Sequence, residues 1–186
     1  MNKIADEQIL EMLADESQFD RAFEHLVVKY QEQLYWHIRR IVHIHEDADD
    51  VIQNTFIKVF RYIKSFNGKS KLYTWLYRIA SNEAISYLNK KNKSKSTSLE
   101  DMLVDLETRL NADQHFNGDH AQLCLLKAIE TLPEKQKLVF NMRYFEEMSY
   151  KDIAEILEVS TGSLKASFHH AMKKVEDYLK QNVDYV

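Results

Sequence analysis

The chain has 186 residues, 45% of them hydrophobic, which is apolar enough to fold and excludes wholesale disorder. Its 3 Gly and 1 Pro are too few to punctuate the closely spaced strands of a β protein, so long helices are expected. The net charge of −4 argues weakly against nucleic acid, and the single Cys124 excludes an internal disulfide and fits a reducing cytosol.

The first stretch, MNKIADEQILEMLADESQ, is acidic and lacks a signal peptide's apolar core. Leu10, Leu13 and Ala14 suggest a first helix there. Phe23, Leu26, Val27, Tyr30, Leu34 and Ile38 form the stripe of a second. Ile52, Phe56, Val59, Phe60 and Ile63 give an inward face to a third, in DADDVIQNTFIKVF. Its outer face is Asp50, Gln53, Asn54 and Ile57, and Asp47 and Asp49 suit its positive N-terminal end without a partner. Gly68 separates this helix from a fourth, with Trp75, Ile79 and Leu88 on the inner stripe and Leu76 and Ala80 beside them. An acidic tract then runs to Gly118 as a linker with short apolar hooks. Leu125, Ile129 and Leu132 mark the next helix, and Pro133 suits the first turn of the one after. Gly162 falls between the last two amphipathic runs. No apolar run approaches the roughly 18 to 20 residues of a membrane span, so no membrane insertion is expected. The expected architecture is all-α: an N-terminal helical bundle at 1–92, an acidic linker at 93–118 and a C-terminal helix-turn-helix domain at 119–186.

The charge is unevenly spread. Residues 1–57 hold 5 Lys/Arg against 12 Asp/Glu, net −7, while residues 58–95 hold 10 against 1, net +9. Residues 96–119 are net −5 and residues 120–186 net −1. A +9 block in thirty-eight residues is a local feature that a polyanion could use. Within it Tyr62, Phe66, Tyr73, Trp75, Tyr77 and Tyr87 interleave with Lys and Arg, a mixture suited to single-stranded nucleic acid: cations follow phosphates and rings stack on unpaired bases.

Residues 149–179, SYKDIAEILEVSTGSLKASFHHAMKKVEDYL, read as a helix-turn-helix. Ser149 and Asp152 resemble a capping box, and Tyr150, Ile153, Ala154 and Leu157 give one buried face. Ser160 or Thr161 can cap the second helix. Leu164, Phe168, Ala171, Met172, Val175, Tyr178 and Leu179 form its core stripe, and Ser163, Ser167, His170 and Lys174 a polar front of the kind that enters a major groove. The plainer reading is a helical hairpin whose polar face is solvated.

In these segments the chain resembles the extracytoplasmic-function (ECF) sigma factors of bacterial RNA polymerase. DADDVIQNTFIKVF is similar to their core-binding helix, FNGKSKLYTWLYRIASN to their loop and helix for the −10 element, and AIETLPEKQKLVFNMRYFEEMSYKDIAEIL with VSTGSLKASFHHAMKKV to their −35 domain. The resemblance implies a binding protein without catalysis that directs core polymerase to promoters in the cytoplasm. It places polymerase contact on Asp50, Gln53, Asn54 and Ile57. It places −10 contact on Asn67, Lys69, Ser70, Lys71, Tyr73, Arg78, Asn82, Lys90 and Lys91, and −35 contact on Thr161, Ser163, Lys165, Ser167, His170 and Lys174. It implies core RNA polymerase, promoter DNA and an anti-sigma factor as partners, with no cofactor. Two positions where the family usually carries Arg hold Ser167 and His170, which implies weak −35 binding by the C-terminal part alone. Gln53-Asn54 stands where Gln-Glu is usual.

Two other classes fit less of the chain. A helix-turn-helix regulator acting without polymerase leaves the basic aromatic block unexplained. An enzyme lacks support: there is no Gly-rich phosphate loop or nucleophile elbow, and Cys124 sits in the apolar run LCLL. His43 and His45, two apart, would point to different sides of a helix, so no metal site is expected there.

Overall fold

The structure, a computed structural model, describes residues 4–92, 99–113, 118 and 120–182. Among these the regular structure is helical: α1 (Asp6–Ala14), α2 (Phe19–Val42), α3 (His45–Tyr62), α4 (Leu72–Asn92), α5 (Leu99–Ala112), α6 (His120–Glu130), α7 (Glu134–Phe140), α8 (Tyr150–Leu157) and α9 (Thr161–Asn182). A 3₁₀ turn at Ile63–Ser65 follows α3, and a π turn at Asn141–Phe145 follows α7. The chain divides into two compact units, residues 1–42 with 46–88, and residues 43–45 with 89–186.

In the first unit α2 buries Ala22, Leu26, Tyr30, Leu34, Ile38 and Ile41 at intervals of three or four residues, including Leu26, Tyr30, Leu34 and Ile38 of the stripe the sequence spacing predicts. Phe23 and Val27 lie half-buried at its edge. On α1, Ile9 is fully buried. Asp6, in the first turn of α1, accepts hydrogen bonds from Tyr30 Oη at 2.7 Å and Lys29 Nζ at 2.6 Å, tying the first helix to the second.

The inner face of α3 differs from the expected one. Ala48, Val51, Thr55 and Val59 are buried, Ile52 and Phe56 are half-buried, and Phe60 is 47% exposed. Side chains smaller than those of the expected stripe face inward, and Thr55 is tolerated there because its hydroxyl donates to the Val51 carbonyl at 2.8 Å. On α4, Leu72, Leu76, Tyr77, Ala80 and Ala84 are buried, whereas Trp75 and Ile79, expected in the core, are half-buried. That helix is apolar on most of its circumference, so periodicity alone cannot choose its inner stripe.

In the second unit Ala128, Ile129, Leu132, Phe140, Ala171 and Val175 form one core cluster, with Leu125, Phe145 and Phe168 packed against it. Cys124 is buried, as the apolar run around it implied. The acidic tract is more ordered than its reading as a linker: residues 99–112 form α5, and Leu106 and Leu110 pack with Leu123 and Leu126 of α6. Pro133 caps α7, with its φ of −54° already suited to that position. Gly68 has φ of +70°, with open space where a Cβ would sit, so it is needed for backbone conformation rather than room. Gly162 does not break a helix; it lies in the first turn of α9, and the break falls at Glu158, which adopts the left-handed conformation with φ of 56°.

Candidate nucleic-acid interface

Three surfaces carry the residues singled out from the sequence. On the first, Asp50, Gln53, Asn54 and Ile57 are all exposed along one side of α3. Beside them, between α2 and α3, run two open clefts. One, of about 560 Å³, is lined by Val27, Gln31, Tyr35, Ile52, Gln53 and Phe56. The other, of about 650 Å³, is lined by Phe23, Gln53, Phe56, Ile57, Phe60 and Arg61. Gln53 and Phe56 belong to both, so the clefts are one groove with a polar rim. The Phe60 ring sits edge-on to Phe19 and Phe23, at centroid distances of 5.5 and 5.0 Å. Such an apolar floor with a polar rim is the composition of a protein interface. Asp47, read as needing no partner, has one: it is 7% exposed and its Oδ1 accepts from Tyr87 Oη at 2.7 Å. That bond also commits the Tyr87 hydroxyl to the fold.

The second surface is the loop before α4 and the outer side of that helix. Asn67 Oδ1 accepts the Lys69 backbone N–H at 3.1 Å, a local turn that Gly68 completes with its positive φ. Asn67, Lys69 and Lys71 are exposed, and Ser70 and Tyr73 are half-buried. The Tyr73 ring lies 4.5 Å from that of Tyr77, which is buried, and Phe66 lies 5.5 Å from Trp75. Of the seven aromatics in the basic block, Tyr62, at 56% exposed, and Phe60, at 47%, are open to solvent, and the other five are half-buried or buried. Arg78 is half-buried and Asn82 exposed, one turn apart on α4; Lys90 is exposed and Lys91 half-buried at its end. Glu83, the one acid between residues 58 and 95, is ion-paired with Lys58 across from α3. The pairing softens the negative charge of Glu83 on this surface.

The third surface is α8, the turn and α9. Ser149 Oγ accepts the Asp152 backbone N–H at 3.1 Å and donates to Asp152 Oδ2 at 2.6 Å, so the expected cap forms. Ser160 Oγ accepts the Ser163 backbone N–H at 3.2 Å, and Ser163 Oγ donates back to the Ser160 carbonyl at 2.8 Å. Leu164, Ala171 and Val175 are buried, while Met172, expected in the stripe, is 36% exposed at its rim. Thr161, Ser163, Lys165, His170 and Lys174 are exposed and Ser167 is half-buried, so the polar front is present as a face.

Two residues of this surface were not singled out as contacts. Tyr150, read as core, is half-buried, with the Arg143 guanidinium 5.2 Å and the Lys165 ammonium 5.9 Å from its ring centroid. Arg143 Nη1 donates to the Met148 carbonyl at 2.9 Å. The π turn places Arg143 there. No propensity pattern marks a π turn, so only the bare presence of a cation in MRYFEEMSY hinted at it.

Comparison with known proteins agrees with this geometry. The family described as "Sigma-70 region 2" matches residues 26–94, and "Sigma-70, region 4" matches residues 122–175. The RNA polymerase sigma-H factor of Pseudomonas aeruginosa is 31% identical over 176 residues, covering 86% of this chain and 87% of that one. The ECF RNA polymerase sigma-E factor of Haemophilus influenzae is 32% identical over 170 residues, covering 86% and 88%. Among solved structures, CnrH in complex with the cytosolic domain of CnrY superposes with a TM-score of 0.70 at 19% identity, covering 97% of this chain and 100% of that one. The sigma factor RpoE in complex with the anti-sigma factor NepR, from Bartonella quintana, gives 0.66 at 22%, covering 88% and 98%. The chain belongs to the ECF sigma factors of RNA polymerase. Its general role is promoter-specific initiation of transcription, with core polymerase and promoter DNA as partners and no catalysis of its own.

Proposed function

We propose that the three surfaces divide this work. The groove-side face of α3, with Asp50, Gln53, Asn54 and Ile57, docks on core polymerase. The loop from Asn67 to Lys71, with Tyr73, Arg78 and Asn82 beyond it, receives the opened non-template strand at −10. Lys69, Lys71, Arg78, Lys90 and Lys91 hold its phosphates, which positions the strand without reading it, and Asn82 meets a base edge. The polar front of α9, from Thr161 to Lys174, lies in the −35 major groove, with Arg143 adding a cation at its edge.

The observation that carries this reading is the outward exposure of Asn67, Lys69, Lys71 and Asn82 on a segment of net charge +9, in a chain that is otherwise acidic. Opening a strand costs a few kcal/mol of unstacking, which backbone charge and a shaped pocket must offset. The test is permanganate reactivity of −10 thymines in complexes with core polymerase. Replacing Lys69, Lys71 and Asn82 with Ala removes that reactivity while core binding persists; unchanged reactivity contradicts the assignment.

One neighbour named above, RpoE of Bartonella quintana, was solved with an anti-sigma factor, and we infer that this chain is also held by one. The α2–α3 groove suits such an inhibitor because its occupation would block the polymerase-docking face. No helix among the described residues is long and apolar enough to cross a membrane, and we place the protein in the cytoplasm, where its polymerase works.

A further inference from the structure

Resting on the reading just given, we propose that His37 is a positioning residue for capture of the −10 strand: it sets the rotation of α4 that exposes Asn82 and leaves Arg78 half-buried one turn before it. His37 is 0% exposed on α2, and its Nε2 lies 2.8 Å from Ser81 Oγ on α4. Ser81 Oγ donates its single proton to the Tyr77 carbonyl at 2.7 Å. The contact with His37 therefore needs a proton from the imidazole, which fixes Nε2–H as the donor. The Tyr77 ring lies 4.8 Å from the imidazole, tilted by 56°. One side chain thus grips two inward positions of α4 a turn apart, 77 and 81. Arg78 and Asn82 each follow by one residue, about 100° further round the helix.

The grip adds to packing on this helix: Leu76, Ala80 and Ala84 are fully buried, while Trp75, Ile79 and Ile85 are half-buried around it. A buried hydrogen bond has one register, and any other rotation leaves its donor unsatisfied. On the neighbouring helix, Lys58 pairs with Glu83 and Asp47 with Tyr87, which places two further polar ties along the same stretch.

The experiment uses full-length protein with core polymerase on a promoter fragment recovered by run-off transcription, carrying 2-aminopurine in the −10 non-template strand. His37→Leu and Ser81→Ala each lower the unstacking signal about five-fold, the scale of one net hydrogen bond, while core binding persists. The double variant has neither partner left unpaired, so its thermal midpoint returns to within about 3 °C of wild type. Its unstacking signal stays low, because the register is still lost. His37→Gln, whose amide can reach the same hydroxyl, restores the signal to within about two-fold. The inference is overturned if the double variant recovers unstacking along with stability, if His37→Leu unstacks like wild type, or if core binding is lost together with unstacking. Failure of the wild-type protein to unstack any promoter overturns the underlying functional reading as well. Loss of signal on Asn82→Ala but not on His37→Leu overturns this inference alone.

Discussion

At the scale of residues, the polar ties are specific enough to test singly. Tyr30 is buried at the contact of α1 with α2, and burial, followed by its hydrogen bond to Asp6 and the carboxylate charge, pushes its phenol well above the ordinary range. A phenol whose folded pKa exceeds its unfolded value stabilises the fold in its neutral form. The contribution is present below about pH 10 and is lost as pH rises beyond that. Tyr30→Phe therefore costs about 1–2 kcal/mol at pH 7, read by denaturant unfolding, and the difference from wild type shrinks between about pH 10 and 11.5. A second residue is held against its preference. Glu158 ends α8 in the left-handed conformation, which a Cβ disfavours. Glu158→Gly should stabilise the second unit by about 0.5–1 kcal/mol, visible as a higher thermal midpoint with DNA affinity unchanged.

At the scale of elements, α3 and α9 make separable predictions. Asp50 and Gln53 are exposed on α3 and contribute nothing to its buried face. Replacing both with Ala should abolish core binding in a pull-down while circular dichroism and the thermal midpoint stay at wild-type values; retained binding would mean that the polymerase docks elsewhere. On α9, the exposed cations Lys165 and Lys174 suit phosphate contacts beside the groove. Replacing both should flatten the dependence of holoenzyme–promoter affinity on log salt by about 2, since each contact releases roughly 0.9 counterion. Elements also differ in how far the sequence reveals them. The stripes of α2 and α9 were legible because their apolar residues fall on one side of an otherwise polar helix. In α3 and the turn after it Val59 and Ile63 are buried as expected, but Ala48, Val51 and Thr55 take the inner places of Ile52, Phe56 and Phe60, and in α4 the inner face is Leu76–Tyr77–Ala80–Ala84, beside the expected Trp75 and Ile79. There the sequence offers large apolar side chains at competing positions, and burial goes to small or internally hydrogen-bonded ones that pack closely. Helix α5 was hidden by its charge, because two buried leucines, Leu106 and Leu110, suffice to seat it. The turn before α9 was legible in the capping residues Ser160 and Thr161, but its left-handed residue was not, because it is Glu158 rather than the nearby glycine.

At the scale of the whole molecule, the outward faces were legible where the cores were not. All four residues assigned to α3's outer side are exposed, and so are Asn67, Lys69, Lys71 and Asn82, because charge and amide groups resist burial wherever the apolar register falls. Tyr87 and Tyr77 were less legible: an aromatic ring serves a core as readily as a stacked base. The front of α9 carries Ser167 and His170 where the resemblance places Arg, so on the proposed reading affinity at −35 comes from two sites held at once. The free chain should bind promoter duplex more weakly than the holoenzyme by about 10²-fold or more at physiological salt.

On the proposed reading this chain confers promoter choice and strand opening on a polymerase lacking both, which run-off transcription on a genomic promoter library measures. Core polymerase with this protein should give discrete transcripts absent with core alone, and the Lys69, Lys71 and Asn82 replacements should remove them. Core polymerase that initiates at no promoter when the wild-type chain is added would contradict it.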